Sequence, residues 1–190
     1  FGALLAKLGE WGIRDRTLVI FMTDNGGTNG VRIHNAGMGG AKGTQYQGGT
    51  RVPSFWRWPA AFTGGLDCGA LAAHIDIFPT LAEIAGVALA GDPARQVEGR
   101  SLVPLLRDVR APWADRFLVT HVGRWGWGKA AESKHANCAI RNGRFSLVND
   151  KELYDLAADP GQATNVIGAH PDAAAALRTA YDEWWASVLP

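Results

Sequence analysis

The sequence predicts an α/β domain that is followed by a small α+β subdomain. A helical repeat at the N-terminus leads within a few residues into an apolar run, TLVIFM, at residues 17–22. Helix, short loop and buried strand together form half of an α/β unit. Beyond residue 112 the pattern changes to several short strands and one closing helix, which indicates a small antiparallel sheet covered by a helix. We therefore expect one domain over residues 1–112 and a second over residues 113–190.

The α/β domain opens with a helix and a strand. Four apolar residues lie on one face of the predicted helix: Leu4, Leu5, Leu8 and Trp11. Gly12 is placed to end this helix. The run at 17–22 is β-branched and aromatic without alternation, which predicts a strand that is buried on both faces.

The remainder of the α/β domain is less regular. The segment RVPSFWRWP at 51–59 is expected to be extended, because its two prolines limit helix formation. Residues 76–86, DIFPTLAEIAG, predict a helix with Asp76 as its N-cap and Gly86 at its end. Residues 87–114 contain three prolines and are expected to be loop-like.

Four short strands and one helix are predicted in the subdomain. The strand patterns are RFLVTHV, NCAIRNG, RFSLVND and ELYDL. Asn142 and Gly143 predict a two-residue hairpin turn between the second and the third strand. A helix is expected over residues 171–188, with Pro171 in its first turn. Its buried stripe is expected to consist of Leu177, Tyr181, Trp184 and Val188.

The composition excludes several classes of function. The chain has 190 residues, 47% hydrophobic content and a formal charge of +1, so it is globular and has no electrostatic affinity for nucleic acid or acidic membranes. No apolar run approaches the roughly 20 residues that span a bilayer. Phe1 opens directly into a helical pattern without a secretory signal, so we expect a fragment or a processed piece. Neither the compartment nor the pairing of Cys68 with Cys138 follows from the sequence.

A glycine-rich segment at residues 23–53 follows the predicted strand and carries the chemistry. Ligands in open α/β sheets bind at the carboxyl ends of strands, which is where this segment starts. Asp24 and Asn25 supply a carboxylate and an amide oxygen, the hard ligands that suit Ca²⁺ or Mg²⁺. The alternative is an Asx-turn that only ends the strand.

Lys42 is the second candidate in this segment, because small residues around it leave room for an anion beside its ammonium group. The pattern is neither a Walker loop, since Ala41 precedes the lysine and Gly43 follows it, nor a dinucleotide fingerprint. His34 lies between the two candidates and is expected either to contact substrate or to be a loop residue without a catalytic role.

Seven blocks in order resemble the C-terminal half of the sulfatase family, within the alkaline-phosphatase-like superfamily. They are TDNG at 23–26, GAKGT at 40–44, YQGGTRVP at 46–53, WP at 58–59, HIDIFPTLAEIAG at 74–86, EGRSLVPLL at 98–106 and ELYDLAADPGQATN at 152–165. The resemblance implies that residues 1–112 are the C-terminal part of the catalytic α/β domain. Gln47 is a departure, because the family commonly has Glu before the paired glycines.

The resemblance also implies roles for the candidate residues. In the family the aspartate and asparagine of the DNG block bind a divalent cation, usually Ca²⁺, so these roles fall on Asp24 and Asn25. The lysine of the G-x-K-G-T block contacts sulfate oxygens, which identifies Lys42 as the catalytic and substrate-binding candidate. Arg51 is expected to anchor the loop. The family's substrates are sulfated carbohydrates and aryl sulfates, and a periplasmic or secreted location is compatible with it.

Part of the family's machinery is missing from this chain. The nucleophile is a formylglycine made within C/S-x-P-x-R, and neither Cys68 nor Cys138 opens such a motif. We therefore expect the formylglycine upstream, in a missing N-terminal part of the same protein, and no activity from this chain alone. Two further interpretations remain open: a fragment of a related phosphate or phosphonate ester hydrolase, and a shortened non-catalytic homologue with a binding or structural role.

Overall fold

The computed structural model describes residues 1–189, except for the side chain of Pro93. The chain falls into two compact units. Unit 1 combines Phe1–Met22 with Pro53–Ala114, and unit 2 combines Thr23–Val52 with the residues from Asp115 onward. The glycine-rich segment therefore belongs to the same unit as the C-terminal sheet.

Unit 1 contains four helices and a two-stranded sheet. Its helices are α1 (Gly2–Glu10), α3 (Ile77–Ile84), α4 (Gly91–Gln96) and α5 (Val103–Arg107), and short 3₁₀ turns lie at Arg14–Arg16 and His74–Asp76. Its strands are β1 (Val19–Met22) and β2 (Ser54–Arg57). The predicted ends of α1 and α3 are confirmed, since Gly12 and Gly86 follow these helices with φ of 67° and 69°, in the left-handed region that favours glycine.

The prediction that β1 is buried on both faces is wrong for this chain. β1 pairs with β2 in antiparallel register, with Phe21 opposite Phe55. Both phenylalanines are exposed, at 44% and 63%. Their rings lie 6.2 Å apart, and Phe1 packs on Phe21 at 5.1 Å. The apolar run therefore forms a strand with an uncovered aromatic face rather than a fully buried one.

Two further predictions for unit 1 are corrected. The region 87–114 is not wholly loop-like, because α4 and α5 form within it. Asp76 is the N-cap residue of α3, as predicted, but its buried carboxylate makes no capping hydrogen bond to that helix. It instead accepts hydrogen bonds from the backbone N–H groups of Ala73 (2.7 Å) and Arg100 (2.8 Å). This carboxylate thus joins two segments that are distant in sequence.

Unit 2 is built on a four-stranded antiparallel meander. The strands are β3 (Leu118–His121), β4 (Cys138–Arg141), β5 (Phe145–Val148) and β6 (Glu152–Asp155), in the order β3-β4-β5-β6. All four predicted strands are confirmed. The hairpin between β4 and β5 is also confirmed. Its turn is stabilised by a contact that the sequence did not predict, because the Asn142 side-chain oxygen accepts hydrogen bonds from the backbone N–H groups of Arg144 and Phe145.

One face of this sheet is covered by the C-terminal helix. Helix α6 spans Pro171–Val188, as predicted. Its buried residues are Ala174, Leu177, Tyr181 and Trp185, which pack on Cys138, Ile140, Leu147 and Leu153 of the sheet. The predicted stripe is right at Leu177, Tyr181 and the partly buried Trp184, but it missed the buried Trp185 and wrongly included Val188, which is 46% exposed. No helix in residues 1–189 is both long and apolar enough to cross a membrane.

The other face of the sheet is covered by the glycine-rich segment. This segment contains a 3₁₀ turn at Asn29–Arg32 and a single-turn helix, α2, at Gln47–Thr50. Tyr46, just before α2, packs on the cluster of Ala139, Val148, Tyr154 and Leu156. Both the Tyr46 and the Tyr154 hydroxyl donate to one oxygen of Glu152, each at 2.9 Å. Burial, and then the Glu152 carboxylate, raise the pKa of Tyr46, so its phenol stays protonated as a donor.

Gln47, the departure from the family pattern, forms a second attachment between the segment and the rest of unit 2. Its side chain is buried, and its Nε2 donates to the Pro160 carbonyl at 2.8 Å. Its backbone N–H donates to Oε1 of Gln162 at 2.7 Å. A glutamate at position 47 would lack the amide donor, so the glutamine matches the carbonyl that faces it.

We expect Leu153→Ala to lower the free energy of unfolding of unit 2 by about 2–5 kcal/mol, because Leu153 is completely buried between the sheet and α6. Urea unfolding followed by circular dichroism measures this change. Leu4→Ala is the control, since Leu4 is 52% exposed on α1. Equal losses in the two variants would contradict the assignment of the core.

We expect Gln47→Glu to destabilise the chain by about 1–3 kcal/mol at neutral pH, because a carboxylate would face the Pro160 carbonyl without a proton to donate. The folded state raises the pKa of such a carboxyl above its unfolded value. The variant is therefore least impaired below the unfolded pKa, about 4.3, and loses stability as the pH rises through the folded pKa. Urea midpoints across this pH range measure the effect. Gln96→Glu, at an exposed position, is the control, and a parallel pH profile in both variants would disprove the interpretation.

Candidate functional site

The two candidate metal ligands lie side by side immediately after β1. Asp24 is exposed and Asn25 is half-buried. Nδ2 of Asn25 donates a hydrogen bond to Oδ2 of Asp24. This contact leaves Oδ1 of each side chain to bind a cation. The structure therefore places the two side chains in contact through Nδ2 and Oδ2.

Backbone segments approach one another closely beside these ligands. The N–H of Gly26 donates to the carbonyl of Gly49 at 3.0 Å. A Cβ on Gly26 would lie 1.8 Å from the carbonyl oxygen of Gly48, and one on Gly48 would lie 2.4 Å from that of Gly40. No side chain fits in either place. Glycine is required here because three backbone segments pack directly on one another.

Lys42 belongs to the same packed backbone. Its N–H donates to the carbonyl of Gly27 at 2.9 Å, so the lysine lies beside the DNG turn despite the intervening sequence. The turn that carries it is closed by Thr44, whose N–H and Oγ1 both donate to the Ala41 carbonyl, at 3.0 and 2.8 Å. The Lys42 side chain is exposed. Its ammonium group is therefore available to an anion from solvent.

His34 is not joined to the other candidates by any contact among the described residues. Its backbone N–H donates to the Gly30 carbonyl at 3.0 Å, and its side chain is exposed. The neighbouring Asn35, which the sequence analysis did not single out, is better connected. Its Nδ2 donates to the carbonyls of Met38 (2.6 Å) and Gly40 (3.0 Å), and so supports the backbone that leads to Lys42.

The sequence analysis also missed how the segment is anchored. Tyr46 and Glu152 form a hydrogen bond across 106 residues of sequence. Both residues stand in blocks that the family resemblance had picked out, the tyrosine in YQGGTRVP and the glutamate in ELYDL. The sequence therefore marked both blocks as important, but nothing in a single sequence showed that one block contacts the other.

The donor set fits part of a site for a hard divalent cation. A carboxylate oxygen and an amide oxygen are ligands that Ca²⁺ and Mg²⁺ accept, but Ca²⁺ takes about six to eight. Among residues 1–189 no group of three or more His, Cys, Asp or Glu side chains is placed to hold a metal ion. Asp24 and Asn25 by themselves therefore supply fewer oxygens than a Ca²⁺ site requires.

The chain matches a known protein family over most of its length. The family model described as N-sulphoglucosamine sulphohydrolase, C-terminal, matches residues 41–181. Among curated relatives, the steryl-sulfatase of Mus musculus is 40% identical over 85% of this chain and 31% of its own length. Arylsulfatase A of Homo sapiens is 31% identical over 93% of this chain and 39% of its own length. The chain thus spans about a third of the length of these relatives.

Solved structures share the fold. One is a protein, BT4656, in complex with its substrate D-glucosamine-2-N,6-O-disulfate, with a TM-score of 0.73 and 24% identity over 100% of this chain and 38% of that one. Another is the phosphonate monoester hydrolase of Agrobacterium radiobacter, with a TM-score of 0.65 and 27% identity over 98% of this chain and 37% of that one. Family model, relatives and fold agree: the chain belongs to the sulfatase family and corresponds to the C-terminal portion of its members.

Proposed function

We propose that this chain supplies the C-terminal part of the active site of a sulfuric ester hydrolase. The observation that supports this proposal is the hydrogen bond from the Lys42 N–H to the Gly27 carbonyl, together with that from Gly26 to Gly49. These bonds hold a cationic side chain and the Asp24–Asn25 pair on one packed loop surface. A sulfate group needs positive charge nearby, which Lys42 and a cation held by this pair would supply, because its oxygens carry the negative charge of the ester and of the transition state.

Each residue has a specific part in the proposed site. Asp24 and Asn25 would hold Ca²⁺, or Mg²⁺, and such a cation would supply charge stabilisation for a sulfate oxygen. Lys42 contacts another sulfate oxygen through its exposed ammonium group and is the catalytic residue of this chain. His34, on the exposed turn, is a second substrate contact in the proposal.

The nucleophile is expected outside this chain. Neither cysteine here is suited to replace it, because neither stands in a formylglycine motif. Cys138 is almost completely buried against α6, and burial raises the pKa of its thiol, which disfavours the reactive thiolate. Cys68 is exposed and free in unit 1. A formylglycine from an upstream portion of the same protein would complete the site.

The upstream portion is also the proposed partner of this chain. The relatives are roughly three times as long as the segment they share with it. The face of β1 and β2 that carries Phe21 and Phe55 is exposed, although aromatic residues of this kind usually pack inside a domain. We propose that the rest of the catalytic domain covers this face. The substrates proposed are sulfated carbohydrates or aryl sulfates, in a periplasmic or secreted protein.

A related phosphate or phosphonate ester hydrolase is the second candidate function. The phosphonate monoester hydrolase with the same fold favours it, since that enzyme is 27% identical to this chain. A divalent cation and a lysine stabilise the negative charge of a phosphonate oxygen as well as that of a sulfate oxygen. The third candidate is a shortened homologue that binds ligands without catalysis. The upstream nucleophile motif separates the first two candidates, and a calcium-independent, stably folded short chain favours the third.

We expect the purified chain by itself to hydrolyse neither 4-methylumbelliferyl sulfate nor its phosphonate counterpart. We also expect it to bind Ca²⁺ with a Kd of about 1 mM or weaker, because two oxygens make an incomplete site. Fluorimetric assays and calorimetric titration measure the two properties. A turnover of about 1 s⁻¹ or more would contradict the proposed absence of the nucleophile. We expect Asp24→Asn to bind Ca²⁺ more weakly than the unchanged chain. Asp67→Asn, at an exposed aspartate of unit 1, is the control and should leave Ca²⁺ binding unchanged.

In a protein that joins this chain to its upstream portion, we expect Lys42→Ala to lower kcat/KM for a sulfate ester by about 10²–10³-fold. The reason is the loss of one charge from the sulfate oxygens, while the fold should persist because the Lys42 side chain is exposed. Steady-state kinetics on sulfate and phosphonate esters measure the effect and identify the preferred ester. Lys7→Ala, an exposed lysine on α1, is the control. Equal activity of the two variants would remove Lys42 from the proposed site.

A further inference from the structure

A loop with two tryptophans leaves the first strand of the unit 2 sheet. This loop, Gly123–Lys129, has the sequence GRWGWGK and is called the Trp loop here. Trp127 is fully exposed and Trp125 is 38% exposed. Together with Gly126 and Gly128 they line an open cavity of ≈ 480 Å³. Two exposed tryptophans beside a cavity of this size require an explanation, because a tryptophan gains more free energy from burial than almost any other side chain.

One of the two tryptophans is held in place by a cluster of aromatic side chains. The His121 ring stacks on Trp185 of α6, with centroids 5.3 Å apart and planes at 26°. Trp125 meets both rings edge-on, at 4.8 Å from His121 and 6.3 Å from Trp185. Trp185 is itself buried in the core of unit 2. Trp125 therefore stands on a fixed support, and part of its surface remains open to solvent.

The backbone between the tryptophans leaves room for a ligand. The turn is closed by a hydrogen bond from the Lys129 N–H to the Gly126 carbonyl at 3.0 Å. A Cβ on Gly128 would meet no atom within 4 Å, and one on Gly126 would meet only Cγ of Lys129, at 3.8 Å. The space above these glycines is therefore open, and a flat ligand can approach the backbone between the two indoles.

The charge of the Trp loop is positive. Arg124 and Lys129 flank the two tryptophans, and the sequence from Val122 to Ala131 contains no acidic residue. Arg124 is exposed. Lys129 forms an exposed ion pair with Glu132 at 2.6 Å, which an anionic ligand can replace at little cost because such pairs contribute little stability.

We propose that the Trp loop binds an anionic saccharide. The apolar C–H face of a sugar ring packs on the electron-rich face of an indole, while sulfate or carboxylate groups pair with Arg124 and Lys129. The open cavity between the two indoles, of ≈ 480 Å³, has room for a sugar ring. Its residues are distinct from Asp24, Asn25 and Lys42, so the proposal goes beyond the proposed hydrolase function and does not depend on it.

The test is a titration of the ¹⁵N-labelled chain with a heparin-derived tetrasaccharide, followed by the indole N–H signals in NMR spectra. Trp125→Phe and Trp127→Phe assign the two signals. We expect these signals to shift while that of Trp11, an exposed tryptophan of unit 1, stays in place. Trp127→Ala should weaken binding by about tenfold or more, and Arg124→Gln should weaken it and reduce its salt dependence. Trp11→Ala is the matched control and should bind as the unchanged chain does.

Further arms of the experiment distinguish the alternatives. The desulfated tetrasaccharide should bind more weakly at the Trp loop, and in Lys42→Ala the Trp125 and Trp127 signals should shift at the same concentrations of the sulfated probe. Loss of binding in Lys42→Ala with normal binding in Trp127→Ala would place the saccharide at the proposed sulfate site and overturn the proposal. Binding to phosphatidylserine vesicles that depends on Trp127, without saccharide binding, would overturn it in favour of a membrane-surface role. Circular dichroism melts confirm that each variant is folded, and Trp127→Ala should melt like the unchanged chain because its side chain is fully exposed.

Discussion

The structure of unit 2 depends on covering both faces of one four-stranded antiparallel sheet. Strand residues alternate between faces, so β4 presents Cys138 and Ile140 to α6 and Ala139 to the opposite side. An antiparallel sheet can leave one face in water, but here the second face is apolar and is covered by Tyr46. The segment that carries the candidate site is thereby packed on the sheet rather than left as a free surface loop.

Polar contacts then determine how the segment lies on the sheet. The Glu152 carboxylate accepts from two tyrosines, and Gln47 is satisfied by Pro160 and Gln162 at buried positions. Buried polar groups of this kind are costly when unpaired, so these hydrogen bonds favour one arrangement of the backbone, in which Nε2 of Gln162 is a buried atom left without a partner. That arrangement stacks the glycines and places Lys42 against Gly27. The chemistry proposed for the loop therefore rests on contacts some hundred residues away in sequence.

Sequence patterns predicted the elements of unit 2 well and those of unit 1 less well. The strands β3 to β6 and helix α6 were predicted because each has a clear local period and turn residues at its ends. The stripe of α6 missed Trp185 and wrongly included Val188, because the helical period does not show where the covering sheet ends, and both Trp184 and Trp185 pack against the core. Helices α4 and α5 were missed because each is short and contains a proline near its start. The burial of β1 was overestimated because apolar composition does not say whether a covering surface lies within the same chain.

The sequence by itself determined the family, the candidate residues Asp24, Asn25 and Lys42, and the glycines that end α1 and α3, since these follow from residue type and order. It did not determine that residues 23–52 belong with the C-terminal sheet, that Lys42 bonds to Gly27, or that Trp125 of the Trp loop packs on His121 and Trp185. The physical reason is the distance along the sequence over which each kind of interaction acts. Periodicity and turn chemistry act over a few residues and can be recognised in any window of sequence, whereas these contacts join distant segments whose partners are decided only when the faces of the sheet are covered.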